Sequence, residues 1–306
     1  MTQEQDFLDI AEVVSSLADV PALEELMLAA GYDVSSYSNL ETGLGHSYVV
    51  CDDEPAAREA VAALSALTAD WRDCLSEPVK SVDYLRMARE DWAESWKRFF
   101  HTFRASDRLV VKPSWEAYDA RPGDLVLELD PGMCFGTGYH GTTKACLQYL
   151  DELSARHGRM SFMDAGTGSG ILSIGAHLLG YAPVVAFDYD PQAVTTAAAN
   201  LSAAGFGGQT TLVEADVTRD VPLPPCRVVA ANILAVVLVE AAERILSLVD
   251  HGQADGYLIL SGILVEQYPE VRDRFTALGA EELSTRTIGE WQSGLFRIPA
   301  NIQSGE

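Results

Sequence analysis

From residue 161 onward, the hydrophobic positions switch repeatedly between a run and a helical period. "SFMDAG" is a short apolar run that ends in a glycine turn, and "ILSIGAHLLG" is a helical stretch closing at Gly180. "PVVAFDYD" reads as a strand, "PQAVTTAAANLSAAG" as a helix and "TTLVEAD" as a strand. "CRVVAANIL", "AVVLVEAAERILSLV" and "YLILSGIL" continue as strand, helix and strand, and "VEQYPEVRDRFTALG" as a helix. Strands this apolar need cover on both faces. The pattern predicts an α/β fold with a doubly wound, mostly parallel sheet. "EELSTRTI" and "SGLFRI" then form an antiparallel hairpin at its edge.

The first eighty residues have a different rhythm. "PALEELMLAAG" has Pro21 at a helix start and Gly31 at its end, with Leu23, Leu26, Met27 and Ala30 on one face. "SYVVCDD" is strand-like, and "EPAAREAVAALSALTADW" is a second amphipathic helix beginning near Pro55. Together they predict a small α+β domain of the split βαβ type. In residues 85–107 acids, bases and aromatics mix, with Trp92, Trp96 and Phe99 at helical spacing, which predicts a connecting helix. "RLVVKPSWE" and "DLVLELD" follow as two strands. The predicted division is an N-terminal domain over 1–84, a linker helix over 85–107 and an α/β domain over 108–306.

Composition narrows the partners. A chain of 306 residues allows about two domains. The net charge of -24 argues against a phosphate-backbone partner, which needs clustered Lys and Arg. Residues 1–70 carry fourteen acidic residues against Arg58 alone, a net -13 that suits a basic partner or serves solubility. "MTQEQDFLDI" has no basic or apolar leader pattern. The longest apolar run, Val228 to Val239, is interrupted by Asn232 and too short to span a bilayer. A cytoplasmic location is expected, with no membrane and no direct nucleic-acid contact. The five cysteines contain no CxxC. Cys134, His140 and Cys146 lack a fourth ligand at useful spacing, so reduced thiols and no metal are expected.

Three stretches carry chemistry. In "DPGMCFGTGYHGTTKACL" Gly136 and Gly141 have P-loop spacing, but Lys144 comes too late for a nucleoside triphosphate. Thr142 or Thr143 reads instead as the N-cap of the next helix, with a loop able to close over a ligand. "DAGTGSG" holds Asp164, Gly166, Gly168 and Gly170 in a strand-to-helix turn, where glycine lets the backbone approach a ligand. The spacing departs from the dinucleotide G-x-G-x-x-G. Asp188 ends the next strand, twenty-two residues after Gly166, placed to accept both ribose hydroxyls of an adenosyl ligand. This combination predicts an S-adenosylmethionine site, whose ammonium and sulfonium make the nearby Asp164 tolerable. Asp216 is a further carboxylate in reach of an adenine amine. Asn232 closes "AANIL" at the carboxyl end of a central strand. Its amide oxygen can orient an amine toward a methyl donor, or it can cap the following helix.

Taken as an ordered set, "DPGMCFGTGYHGTT", "DAGTGSGIL", "DYDPQAV", "NIL" and "LSGIL" resemble the PrmA family, which methylates ribosomal protein L11 of the large subunit. "DWAESWKRFFHTFRASDRLVVKPSWE" resembles the segment that leads into that family's catalytic domain. The resemblance spans about residues 90–298, and the first eighty residues match in size and general character only. It implies a Rossmann-like methyltransferase fold and S-adenosylmethionine as cofactor. Thr143, Gly166, Asp188 and Asn232 fall on the family's cofactor-binding positions, and Gly168 belongs to the same turn. Asn232 is the implied catalytic residue. The implied substrate is a basic ribosomal protein, gripped by an N-terminal domain. The chain departs from the family at Gly141, usually proline, and at Thr167, usually cysteine.

Two alternatives use the same catalytic half. One is a methyltransferase acting on another protein or a small amine, which removal of the N-terminal lobe would distinguish. The other is a non-catalytic adenosylmethionine-binding module, against which the intact Gly166, Asp188 and Asn232 count.

Overall fold

The computed structural model describes residues 7–39, 42–88, 101–130 and 141–300. Trp92, Trp96 and Phe99 of the predicted linker, and residues 131–140 of the glycine-rich loop, lie outside them. The chain divides into two units, Met1–Phe99 and Phe100–Glu306, at a point inside the segment 85–107.

The first unit runs β1 (Phe7–Ser16), α1 (Val20–Ala29), β2 (Ser35–Asn39), β3 (Leu44–Cys51), α2 (Glu54–Asp70) and β4 (Ser81–Ala88). Its sheet has the order β2-β3-β1-β4 with antiparallel neighbours, so β3 splits the β1-α1-β2 unit. Leu23 and Met27 of α1 and Ala60 and Leu64 of α2 pack on Ala11, Val13 and Val49. Asp53 caps α2 by accepting the Ala56 N–H at 2.9 Å. Strand β4 corrects the predicted linker: residues 85–88 are its last four, paired with β1 from Leu85↔Ile10 to Ala88↔Phe7. Phe103–Arg104 is also a strand, not a helix. Leu, Arg, Met and Ala favour a helix locally, but pairing with β1 overrides that preference.

The second unit opens with a three-stranded sheet of β5 (Phe103–Arg104), β6 (Leu109–Lys112) and β7 (Leu125–Glu128). Helix α3 (Gly141–His157) follows. Then come β8 (Phe162–Ala165), α4 (Ile171–Leu178), β9 (Val184–Asp188), α5 (Pro191–Ala203) and β10 (Thr210–Glu214). The rest is β11 (Val228–Asn232), α6 (Ala235–Glu240), α7 (Ala242–Ser247), β12 (Gly256–Leu264), α8 (Tyr268–Ala277), β13 (Glu281–Ile288) and β14 (Trp291–Ile298).

The large sheet has the order β10-β9-β8-β11-β12-β14-β13. The first five strands are parallel and β14 is antiparallel to both neighbours. The terminal hairpin therefore enters with its second strand inward, leaving β13 at the edge. Strand order reverses between β8 and β11, where open α/β sheets form a crevice at their carboxyl ends. Side chains alternate between two cores. Phe162, Val184, Val228 and Ile259 face Leu147, Leu150 and Ile174. Met163, Val185, Val229 and Leu258 face Leu238, Ile245, Val271 and Phe275. The run predicted as one helix after Asn232 is two, α6 and α7, separated at Ala241. No residue in the run signals that break. It accompanies the packing of Leu238, Ala241, Ala242 and Ile245 against the sheet.

Candidate active site

The glycine turn leaves β8 and is tied to the end of β9. The N–H groups of Gly166 and Thr167 both donate to the Phe187 carbonyl at 3.0 Å. Gly166, Gly168 and Gly170 have φ of 77°, 52° and 81°, a region side chains with a Cβ rarely adopt. The Gly168 N–H donates to Asp188 Oδ2 at 2.9 Å, and the Asp190 N–H donates to Asp188 Oδ1 at 3.1 Å. Asp188 thus joins the turn to its own strand end. A carboxylate offers about four acceptor positions, so two remain for a ligand.

Asp164 anchors the turn from below. Its Oδ2 accepts from Thr167 Oγ1 at 2.8 Å, Ser173 N at 3.1 Å and Ser173 Oγ at 2.8 Å. Burial pushes its carboxyl up to about 6 against the opposing pull of those three bonds. Thr167 stands here as a donor to Asp164, and Ser173 fixes the first turn of α4 to β8. Asn200 of α5 adds a bond from Nδ2 to the Ser169 carbonyl at 2.8 Å.

Asn232 ends β11, level with Ser261 of β12. Its side chain is half-buried, and among the described residues nothing hydrogen-bonds it. It does not cap α6, whose capping position is Leu234 with no side-chain bond. The residues after it are held from two sides. A Cβ on Gly166 would stand 2.4 Å from Ile233 Cγ2. A Cβ on Gly262, at φ 80°, would stand 2.5 Å from the Ile233 carbonyl oxygen and 3.0 Å from its N and C. The register shift in β12 between Leu260 and Ile263 makes room for this approach.

Thr142 and Thr143 are buried in the first turn of α3. Neither caps it, because Gly141 before them is already helical. Ser261 Oγ donates to the Thr142 carbonyl at 3.2 Å and lies 2.6 Å from Ser293 Oγ. Ser261 therefore links the start of α3 to the strand position beside Asn232. Gly141 is tightly placed, since a Cβ there would lie 2.9 Å from both the carbonyl oxygen and Cγ2 of Ile288.

Gly166, Gly168, Asp188 and Asn232 thus gather at the carboxyl edge of β8, β9 and β11, with Thr143 one residue beyond Thr142. Asp216 is occupied locally, accepting from Thr218 N at 2.9 Å and Thr218 Oγ1 at 2.8 Å. Of the candidate metal ligands, Cys134 and His140 lie outside the described residues. Cys146 is fully buried, and burial pushes its thiol up to about 12. The residues that sequence reasoning passed over are Ser173, Asn200, Ser261 and Gly262. Only Gly262, inside "LSGIL", carried a signal, a glycine within a strand.

A family model for ribosomal protein L11 methyltransferase (PrmA) matches residues 45–297. The ribosomal protein L11 methyltransferase of Geobacter metallireducens is 39% identical over 252 residues, covering 82% of this chain and 80% of that one. The protein of the same name from Pelobacter propionicus is 37% identical over 305 residues, covering 94% and 96%. A solved ribosomal protein L11 methylase from Lactobacillus delbrueckii subsp. bulgaricus matches with a TM-score of 0.58 at 28% identity, covering 65% of this chain and 100% of that chain. The likeness therefore reaches into the first unit, past the span from residue 90 that the motifs suggest. With a match over most of its length and relatives of this identity, the chain belongs to the ribosomal protein L11 methyltransferase family.

Proposed function

We propose that the protein is an S-adenosylmethionine-dependent N-methyltransferase whose substrate is ribosomal protein L11. The observation that carries the reading is the half-buried Asn232 amide, without a partner among the described residues, at the strand end beside the Asp188-bound glycine turn. The amide is open to solvent rather than sealed in the core, at the carboxyl end of a central strand where open α/β sheets bind their ligands.

The donor set fits the cofactor. Asp188 is acceptor-only when ionised and keeps positions for two ribose hydroxyls. The turn through Gly166 and Gly168 brings backbone close without side chains. We assign Thr143 to the same site, at the start of α3. When bound, S-adenosylmethionine supplies an electrophilic methyl on a sulfonium, open to an amine lone pair. The Asn232 amide oxygen accepts an N–H of the incoming amine and so aims the lone pair. Lysine must arrive neutral against a reference pKa of about 10.4, and desolvation favours that form. The apolar Ile233 beside Asn232 contributes to such surroundings, and the released proton passes to water. Asn232 is thus the catalytic residue in this reading.

We assign the first unit, Met1–Phe99, to gripping the protein substrate. The net charge of -13 over residues 1–70 suits a basic ribosomal protein and disfavours direct contact with nucleic acid. No helix among the described residues is long and apolar enough to cross a membrane. A cytoplasmic location, where ribosomes are assembled, completes the proposal.

The test is transfer of labelled methyl from S-adenosylmethionine to purified L11 by wild type and by Asn232→Ala. Label on L11 with wild type and near loss with the variant is expected. Label on L11 that survives undiminished in the variant contradicts the role of Asn232.

A further inference from the structure

The second unit exposes five large hydrophobic side chains among its described residues: Tyr189, Leu234, Val236, Val265 and Leu283. Four of them stand just beyond the carboxyl ends of β9, β11 and β12, the edge that holds Asp188 and Asn232. Scattered exposed hydrophobics need no explanation, but a group gathered at one edge marks an interaction surface. Val236 is 68% exposed and Leu234 66%.

Between α6 and α8 lies a groove of about 290 Å³. Its lining mixes apolar Val236, Val239 and Val271 with polar Glu240, Gln267 and Glu270. Among the described residues, neither Glu240 nor Glu270 has an ion-pair partner. The nearby arginines are engaged elsewhere: Arg272 with Asp273 at 2.7 Å and Arg274 with Glu243 at 3.1 Å. The groove therefore combines apolar lining with two acidic side chains that have no ion-pair partner among the described residues. Ala235 in its lining is three residues from Asn232, a span of at most about 11 Å along the chain.

Resting on the methyltransferase reading above, we propose that this groove seats the substrate segment flanking the accepted lysine. That segment places an apolar side chain against Val236 and Val239 and a basic one against Glu240 and Glu270. Both helices start at the carboxyl edge of the sheet, so a chain lying in the groove leads directly to Asn232. The charge complementarity selects a basic peptide over an acidic or neutral one. The groove acts on KM for the protein substrate and leaves cofactor binding untouched.

Steady-state methylation of purified L11 tests this with Val236→Asp and the exposed, conservative pair Glu240→Gln/Glu270→Gln. S-adenosylmethionine affinity and thermal midpoint are measured alongside. We expect KM for L11 to rise about tenfold in Val236→Asp and about threefold in the double variant, with cofactor affinity unchanged. The rise in the double variant should vanish at high salt, where wild type is equally weak. Unchanged KM in both variants, with wild type active on L11, overturns the groove and leaves the methyltransferase reading standing. A wild type that binds cofactor but methylates no ribosomal protein overturns both. A change in the sedimenting mass of the free enzyme on Val236→Asp points to a second copy as the occupant and also overturns the proposal.

Discussion

Replacing Gly262 with alanine should disable the site from a distance, because Gly262 is where β12 touches the backbone that carries Asn232. Two effects add. At φ 80° a Cβ is strained whatever surrounds it, by about 1–2 kcal/mol. The new Cβ would also meet the Ile233 carbonyl oxygen at 2.5 Å, where even close carbon–oxygen contacts stand about 3.3 Å apart. The obstacle is backbone on a central strand end, so it must shift by about 0.8 Å rather than rotate away. Overpacking of this kind costs about 1–3 kcal/mol. Gly279→Ala isolates the first effect, since Gly279 has φ 96° and nothing within 4 Å. Urea unfolding should show Gly262→Ala less stable than Gly279→Ala by about 1–3 kcal/mol. Misplacing Asn232 by under an ångström should lower kcat about a hundredfold, while Gly279→Ala keeps wild-type turnover. Equal stability losses and an unchanged kcat in Gly262→Ala would refute the claim that this contact positions Asn232.

Other perturbations follow from the same geometry. Asn232→Ala should lower kcat about a hundredfold and leave S-adenosylmethionine affinity within about threefold, measured by single-turnover kinetics and calorimetry. Asp188→Asn keeps an acceptor for the Gly168 N–H but loses its charge, and should weaken cofactor binding about tenfold in calorimetry. Asp164 has a folded pKa of about 6 against an ordinary 3.8, so the folded form keeps a proton that the unfolded chain releases. Its contribution to stability is complete below about pH 4 and is lost as pH rises to about 6, a change of about 3 kcal/mol. Asp164→Asn retains an acceptor for Thr167 and Ser173 and should remove that slope. Parallel wild-type and variant urea profiles between pH 4 and 6 would contradict it.

The α/β half was legible because its strands are continuous apolar runs separated by helices with clear ends, such as Pro191 after Asp190 and Gly180 after α4. The first unit was legible through its helices and through "SYVVCDD", most of which falls on β3, but not through β1. In β1, Asp9 and Glu12 interrupt the apolar alternation, and the strand is defined by pairing with β3 and β4, contacts distant in sequence. Residues 85–88 were misread for a related reason, since "LRMA" favours a helix until β1 supplies a partner. In the site, the turn and Asp188 could be read from spacing. The Gly168–Asp188 bond, the Ser261 link to Thr142 and the clamp of Gly166 and Gly262 on Ile233 could not, because each joins segments that only the folded sheet brings together. Gly141 shows the limit of comparison by motif. A departure from the usual proline suggests freedom, yet the position is closely packed against Ile288.

The most direct test of the account is the intact mass of L11 taken from cells lacking this gene, before and after incubation with the purified protein and S-adenosylmethionine. The account predicts mass gains in whole numbers of methyl groups with wild type and none with Asn232→Ala. An L11 mass that stays unchanged with active, cofactor-binding wild type would contradict it.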